Sequence, residues 1–219
     1  MSDTGELSIP NRIGWALLAI QPVYVVLEVV LAFTPTSPYS LIDNTISDLG
    51  ATTCTDIDYP FGPVAVCSPL HAWMNGAFVV FGLALVVGPV LSRRTWPQRR
   101  SSTLTRWLFV VGGLGSIGTG LVPLDVDLEL HVLVSTPSFV ALPIALLFAA
   151  RAFGTPRWIP VSAAILGVAT VAASIAFFVT SNSSDYGGLW ERAALWPVFV
   201  WMGVVGVAAL RPMGQRGFA

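Results

Sequence analysis

Residues 78–91 read Phe-Val-Val-Phe-Gly-Leu-Ala-Leu-Val-Val-Gly-Pro-Val-Leu, a run without a single charged side chain. It lacks the alternation of a barrel strand. With the residues before it, it is long enough to cross about 30 Å of hydrocarbon as a helix, which takes about 20 apolar residues. Comparable runs lie near 13–34, 70–91, 104–122, 131–150, 158–180 and 190–210. The chain of 219 residues is 54% hydrophobic and only 11% charged, whereas soluble domains carry about 25% charged residues. In hydrocarbon each backbone N–H and C=O must be satisfied within the segment, which a helix does. The pattern predicts an all-α fold: a polytopic bundle of six transmembrane helices. The connections between runs are too short for a second unit, so residues 1–219 form a single membrane domain.

The arginines orient the bundle. All 11 basic residues are Arg. Arg12, Arg93, Arg94, Arg99, Arg100, Arg106, Arg151, Arg157, Arg211 and Arg216 fall on one side of a six-span arrangement, and only Arg192 falls on the other. Short cytoplasmic loops carry the positive excess. Both termini are therefore expected in the cytoplasm, with 35–69, 123–130 and 181–189 outside, as in a multi-pass protein of the cell membrane. The acidic start, Met1–Pro10, followed by a long apolar run predicts an uncleaved signal anchor. The net charge of -1 gives no reason to expect a nucleic-acid partner, and the basic rim is what membrane topology requires.

Against this apolar background the polar groups gather at the outer side. Asn44-Thr-Ile-Ser-Asp-Leu-Gly50 lies in the longest loop. Asn44, Ser47 and Asp48 are compact groups that cap helices or close side-chain turns. They are read either as the cap of a short surface helix or as a site in which Asp48 points toward the bundle as acid, base or ligand. Cys54 and Cys67 are the only cysteines and lie in the same loop. In an oxidising compartment they would form a disulfide contributing about 3 kcal/mol; free thiols or a metal pair are the alternatives. Gln21, Tyr24 and Glu28 share one face of the first span. Glu28 is a carboxylate inside a span, either a buried structural partner or a functional group.

His71 and Asn75 open the second span, and His131, Ser135 and Ser138 form a stripe on the fourth. Both histidines stand at the depth of Asp48, Asp125, Asp127 and Glu129. Each is read as a satisfied interfacial group, or the set as an acid-base pair of His71 and His131 with Asp48 or Asp125. No cofactor is required by the sequence, although His71, His131 and Asp48 would make a zinc set. Glu191 and Arg192 begin the sixth span. Adjacent residues do not face each other on a helix, so each has its own partner. Arg192 is expected to hold a phosphate or a carboxylate such as Glu28 or Asp48. In the third span Gly112, Ser116 and Gly120 form a small-residue stripe for close helix packing. The Gly113-x-Gly115-x-x-Gly118 string lacks the strand that a dinucleotide fingerprint needs.

Asn44-x-x-Ser-Asp-Leu-Gly, His71-x-x-x-Asn75, Gly118-x-Gly-x-x-Pro-x-Asp125 with His131, and Gly188-Leu-x-Glu-Arg192 together resemble the DUF998 family of bacterial and archaeal integral membrane proteins. The resemblance spans nearly the whole chain and implies a six-helix membrane protein without a settled activity. The Ser-Asp-Leu-Gly element is also similar to one in the Frag1/DRAM/Sfk1 membrane proteins, which are linked to lipid handling. A more distant likeness to the CREST membrane hydrolases would imply zinc. This chain departs there, because two histidines cannot fill a three-histidine set. Two functions are therefore expected. One is a lipid-binding or accessory protein of the cell envelope, with membrane lipid and another envelope protein as partners and Asn44, Ser47, Asn75, Glu28, Glu191 and Arg192 around the ligand. The other is a membrane-embedded lipid hydrolase or transferase.

Overall fold

The computed structural model describes residues 7–180 and 186–211. Among these the chain forms helices α1 (Ile9–Ala19), α2 (Gln21–Leu31), α3 (His71–Leu91), α4 (Arg100–Leu121), α5 (Leu128–Ala152), α6 (Trp158–Thr180) and α7 (Gly187–Leu210), and a hairpin of β1 (Thr55–Tyr59) and β2 (Gly62–Val66). Helices α1 and α2 run on as one apolar stretch, Ile9–Leu31. They are interrupted at Ile20, because Pro22 has no N–H to offer the preceding turn. That stretch and α3, α5, α6 and α7 are long and apolar enough to cross a membrane. Hydropathy predicts a sixth span where α4 lies. The helix has the length, 22 residues, but its glycines, its hydroxyl residues and two arginines keep it out of that group.

The helices close into a ring. α1 packs on α3 and α7, α4 lies between α3 and α5, and α6 joins α5 to α7. Glycines set the spacing along α4. A Cβ at Gly113 would lie 2.7 Å from the Gly82 carbonyl oxygen of α3, and one at Gly112 would run into Leu142 of α5. The small-residue stripe therefore does not serve one neighbour: Gly112 faces α5, while Ser116 donates to the Phe78 carbonyl (2.8 Å) and Gly120 backs onto α3. Outside, every helix exposes large aliphatic side chains, among them Val26, Leu83, Leu114, Leu133, Val168 and Val204. Such an exterior is too apolar for water and suits lipid chains.

The boundaries follow local chemistry more than hydropathy. Helix α5 begins at Leu128, three residues before the run near 131–150, because the Asp127 side chain accepts from the Leu130 amide as its N-cap. At the arginine-rich end Trp15 donates to Thr95 (2.8 Å) and stacks on Trp96, and Arg106 and Arg99 reach the carbonyls of Arg93 and Arg151. Residues 181–185, part of the segment expected outside, and the arginine at 216 lie outside the described residues.

At the opposite end the first loop is folded. Ser47–Gly50 make one 3₁₀ turn in place of a surface helix, and residues 55–66 form a hairpin not expected from the sequence. Its register pairs Thr55 with Val66 and Tyr59 with Gly62. Gly62 has φ of +129°, a conformation that glycine adopts without steric penalty. Cys54 and Cys67 are the next pair outward and form the expected disulfide. Ile57 and Val66 pack with Ala51 and Leu124 in a small second core.

If backbone contact between α3 and α4 sets the bundle, Gly113→Val overpacks it. The expected result is a loss of about 1–3 kcal/mol, read as a lower thermal midpoint in detergent. An unchanged midpoint contradicts the packing described.

Candidate functional site

Between the folded loop and helices α5, α6 and α7 lies an open cavity of about 850 Å³. Its wall is mostly apolar, with Phe139 on α5 and Phe177 and Phe178 on α6, while Asn44, Thr45, Ser47, Asp48 and Tyr59 form a polar lip. Glu129, His131 and Ser135 from α5 and Glu191 from α7 also line it. A much smaller hollow of about 20 Å³ adjoins it, sharing Ser47, Ser135, Phe139 and Glu191.

The lip is held from beneath by a buried ion pair. Glu28, 0% exposed, receives Arg192 Nε (3.1 Å) and Nη2 (2.9 Å) on Oε1 and Trp196 Nε1 (2.7 Å) on Oε2. Arg192 Nη1 donates to the carbonyls of Leu41, Asn44 and Gly188, and Nη2 donates to the Tyr39 hydroxyl. Tyr39 in turn donates to the Thr45 carbonyl. Every nitrogen of the guanidinium thus has a protein acceptor. Gly188 is obligatory here, since a Cβ would collide with the Asn44 carbonyl and the guanidinium. The amides of Gly188 and Leu189, which start α7, donate to the carbonyls of Asp43 and Ile42, so free helix-end donors meet loop acceptors.

Asp48 closes the lip on itself. Its Oδ1 accepts from Tyr59 (2.6 Å), and Oδ2 accepts from the Thr45 amide and the Asn44 side chain. Burial pushes this carboxyl up from its ordinary range, and those three donors oppose the shift. Burial together with the facing Asp48 also raises Tyr59, which stays a donor. Glu191 accepts from the Ile46 amide. On the other wall, His131 Nδ1 is 2.6 Å from the Val122 carbonyl and Nε2 is 2.9 Å from Ser47 Oγ.

The candidate residues from the sequence thus separate into two groups. Asn44, Ser47, Asp48, His131 and Glu191 meet at the cavity. His71, Asn75, Asp125, Glu28 and Arg192 do not line it. His71 faces the Ser68 carbonyl just before its own helix, and Asn75 donates to the Gly50 carbonyl and so braces the 3₁₀ turn. Among the described residues no three His, Cys, Asp or Glu side chains converge as a metal set. Tyr59, Phe139, Phe177 and Phe178 were not singled out by the sequence. For Tyr59 the Asp-Ile-Asp-Tyr alternation between two cysteines was a usable sign, whereas the phenylalanines are indistinguishable from packing residues.

Asp125 is a clasp between loops. Its carboxylate accepts from the amides and hydroxyls of both Thr52 and Thr53 at 2.8–2.9 Å. Burial pushes its pKa up, but the threonine donors outweigh that and hold it below the ordinary range. A carboxylate depressed in the folded state contributes fully above its unfolded value of about 3.9 and loses that contribution as pH falls through the folded value. Asp125→Asn therefore lowers the thermal midpoint at about pH 7, and its gap from wild type narrows toward about pH 3. A gap that is independent of pH contradicts the clasp.

Over residues 18–208 the chain matches the family model described as a protein of unknown function, DUF998. No curated protein and no solved structure matches it in the corresponding comparisons. With the match covering most of the chain, including the folded loop and every helix that lines the cavity, the protein belongs to the DUF998 family.

Proposed function

We propose that this is a six-span protein of the cell membrane with both termini in the cytoplasm, in which the cavity takes one lipid from the outer leaflet, as a lipid-binding or accessory component of the cell envelope. The arginines at one end of the bundle support the orientation. Helix α4 supplies the sixth span, its glycines and hydroxyls being turned to α3 and α5. The observation that carries the ligand class is the cavity: about 850 Å³, apolar in its wall and polar at its lip, the division found in an acyl lipid. Ligand sites of this kind combine an apolar lining with a few placed polar groups.

The charge of the lining narrows the ligand. Among the described residues, Asp43, Asp48, Glu129 and Glu191 border the cavity and no arginine does. Arg192, which the sequence offered for a phosphate, is held by Glu28 and loop carbonyls. An anionic headgroup would meet carboxylates there, so a neutral or cationic lipid fits, and Asn44, Ser47 and Asp48 become its polar contacts.

Native mass spectrometry of the detergent-extracted protein is expected to show a retained neutral or cationic lipid. Ser135→Trp, which places an indole in the cavity, removes it without unfolding the bundle. Wild-type protein that carries no lipid, or a Ser135→Trp variant that carries as much as wild type, contradicts the proposal.

A further inference from the structure

Ser47 and His131 lie 84 residues apart in the chain and meet at the cavity wall with Oγ and Nε2 2.9 Å apart. The direction of this hydrogen bond is fixed from the far side of the ring. The Val122 carbonyl can only accept, so Nδ1, 2.6 Å from it, carries the proton of the neutral imidazole. Nε2 is then left with its lone pair, and the Ser47 hydroxyl donates to it. A serine hydroxyl pointed at an unprotonated, oriented imidazole is the arrangement that activates a nucleophile.

Its support is rigid. Ser47 opens the 3₁₀ turn, whose Leu49 and Gly50 carbonyls accept from Ser68 and Asn75, while the Ile46 amide before it donates to Glu191. Ser47 is half-buried, and both it and His131 line the large cavity. A hydrogen bond that only tied the loop to α5 would not require either residue to border a space of that size. The apolar wall of Phe139, Phe177 and Phe178 continues from this pair.

We infer that Ser47 is a nucleophile and His131 its general base, acting on the carboxylic ester of a neutral acyl lipid; this rests on reading the cavity as a lipid site. As Oγ bonds to the ester carbonyl carbon, its proton passes to Nε2. The bond from that carbon to the alcohol oxygen then breaks, and Nε2 returns the proton to the departing alkoxide, leaving an acyl group on Ser47. Water, giving a proton to Nε2, adds to the acyl carbon. The carbon–Oγ bond breaks, Oγ recovers the proton, and a fatty acid leaves. Ester and water thus become alcohol and acid. Asp48, on the same wall, favours the imidazolium formed in each half.

The test is reaction of the full-length protein in detergent with a long-chain alkyl fluorophosphonate, with the adduct located by peptide mass spectrometry. The expected adduct is on Ser47, is absent from Ser47→Ala, and forms about a hundredfold more slowly in His131→Gln. Wild-type labelling also slows as the pH is lowered and the imidazole takes up a proton, which reads the base without any variant. Protein that retains its lipid but gives no Ser47 adduct overturns the nucleophile and leaves lipid binding standing. A Ser47 adduct on protein that retains no lipid supports the nucleophile and removes the lipid reading. Labelling at the wild-type rate in a folded His131→Gln variant, with no dependence on pH, overturns the role of the base.

Discussion

A guanidinium one turn inside the end of a membrane helix is unfavourable unless its charge and all its donors are met, because little water is there to meet them. Arg192 is in that position on α7. Glu28, more than 160 residues earlier in the chain, supplies the charge. The carbonyls of Leu41, Asn44 and Gly188 and the Tyr39 hydroxyl supply the remaining acceptors. The ion pair therefore does more than neutralise two buried groups. It obliges the segment 39–45 to lie across the top of α7, which sets the position of the next residues, Ile46 to Gly50. The lip of the cavity follows from that placement.

The remaining polar contacts at this end repeat the same principle. Asn75 on α3, Asp125 after α4, His131 on α5 and Glu191 on α7 each hold a different point of the first loop. A long loop laid over a bundle carries backbone groups that must find partners, and the helix ends provide them. The cavity is what is left between this loop and the phenylalanines of α5 and α6. Among the described residues its charged lining is acidic, with Arg192 turned under the loop, and that turns the proposed ligand away from phosphate. Such a membrane protein gains a polar lip without exposing an unpaired cation to lipid.

Much of this was legible in the sequence for physical reasons that can be named. Six apolar runs predict six spans, and five of the helices found there are long and apolar enough to cross a membrane; α4, over the run near 104–122, falls short because close packing demands glycine, which lowers hydropathy. The disulfide was readable from two cysteines in one loop. Helix starts were less so, since Asp127 as a cap moves α5 earlier than its hydrophobic run. The meeting of Glu28 with Arg192 was one of several pairings the sequence allowed, and only the fold selects it. The contact of Ser47 with His131 left no local sign at all, because nothing in a sequence reports a distance between a loop and a helix that are 84 residues apart. The hairpin was within reach, as the alternation at Thr55–Tyr59 and the Pro60-Phe61-Gly62 turn mark it.

The claim on which the rest stands is that Arg192 fixes the loop that builds the lip. Hydrogen–deuterium exchange of residues 39–50, compared between wild type and Arg192→Gln in the same detergent, measures it directly. The account predicts that the amides of Thr45 and Ile46, which wild type protects through Asp48 and Glu191, exchange much faster in the variant while the centres of α3 and α5 stay protected. Protection of residues 39–50 that is unchanged in a folded variant would contradict it.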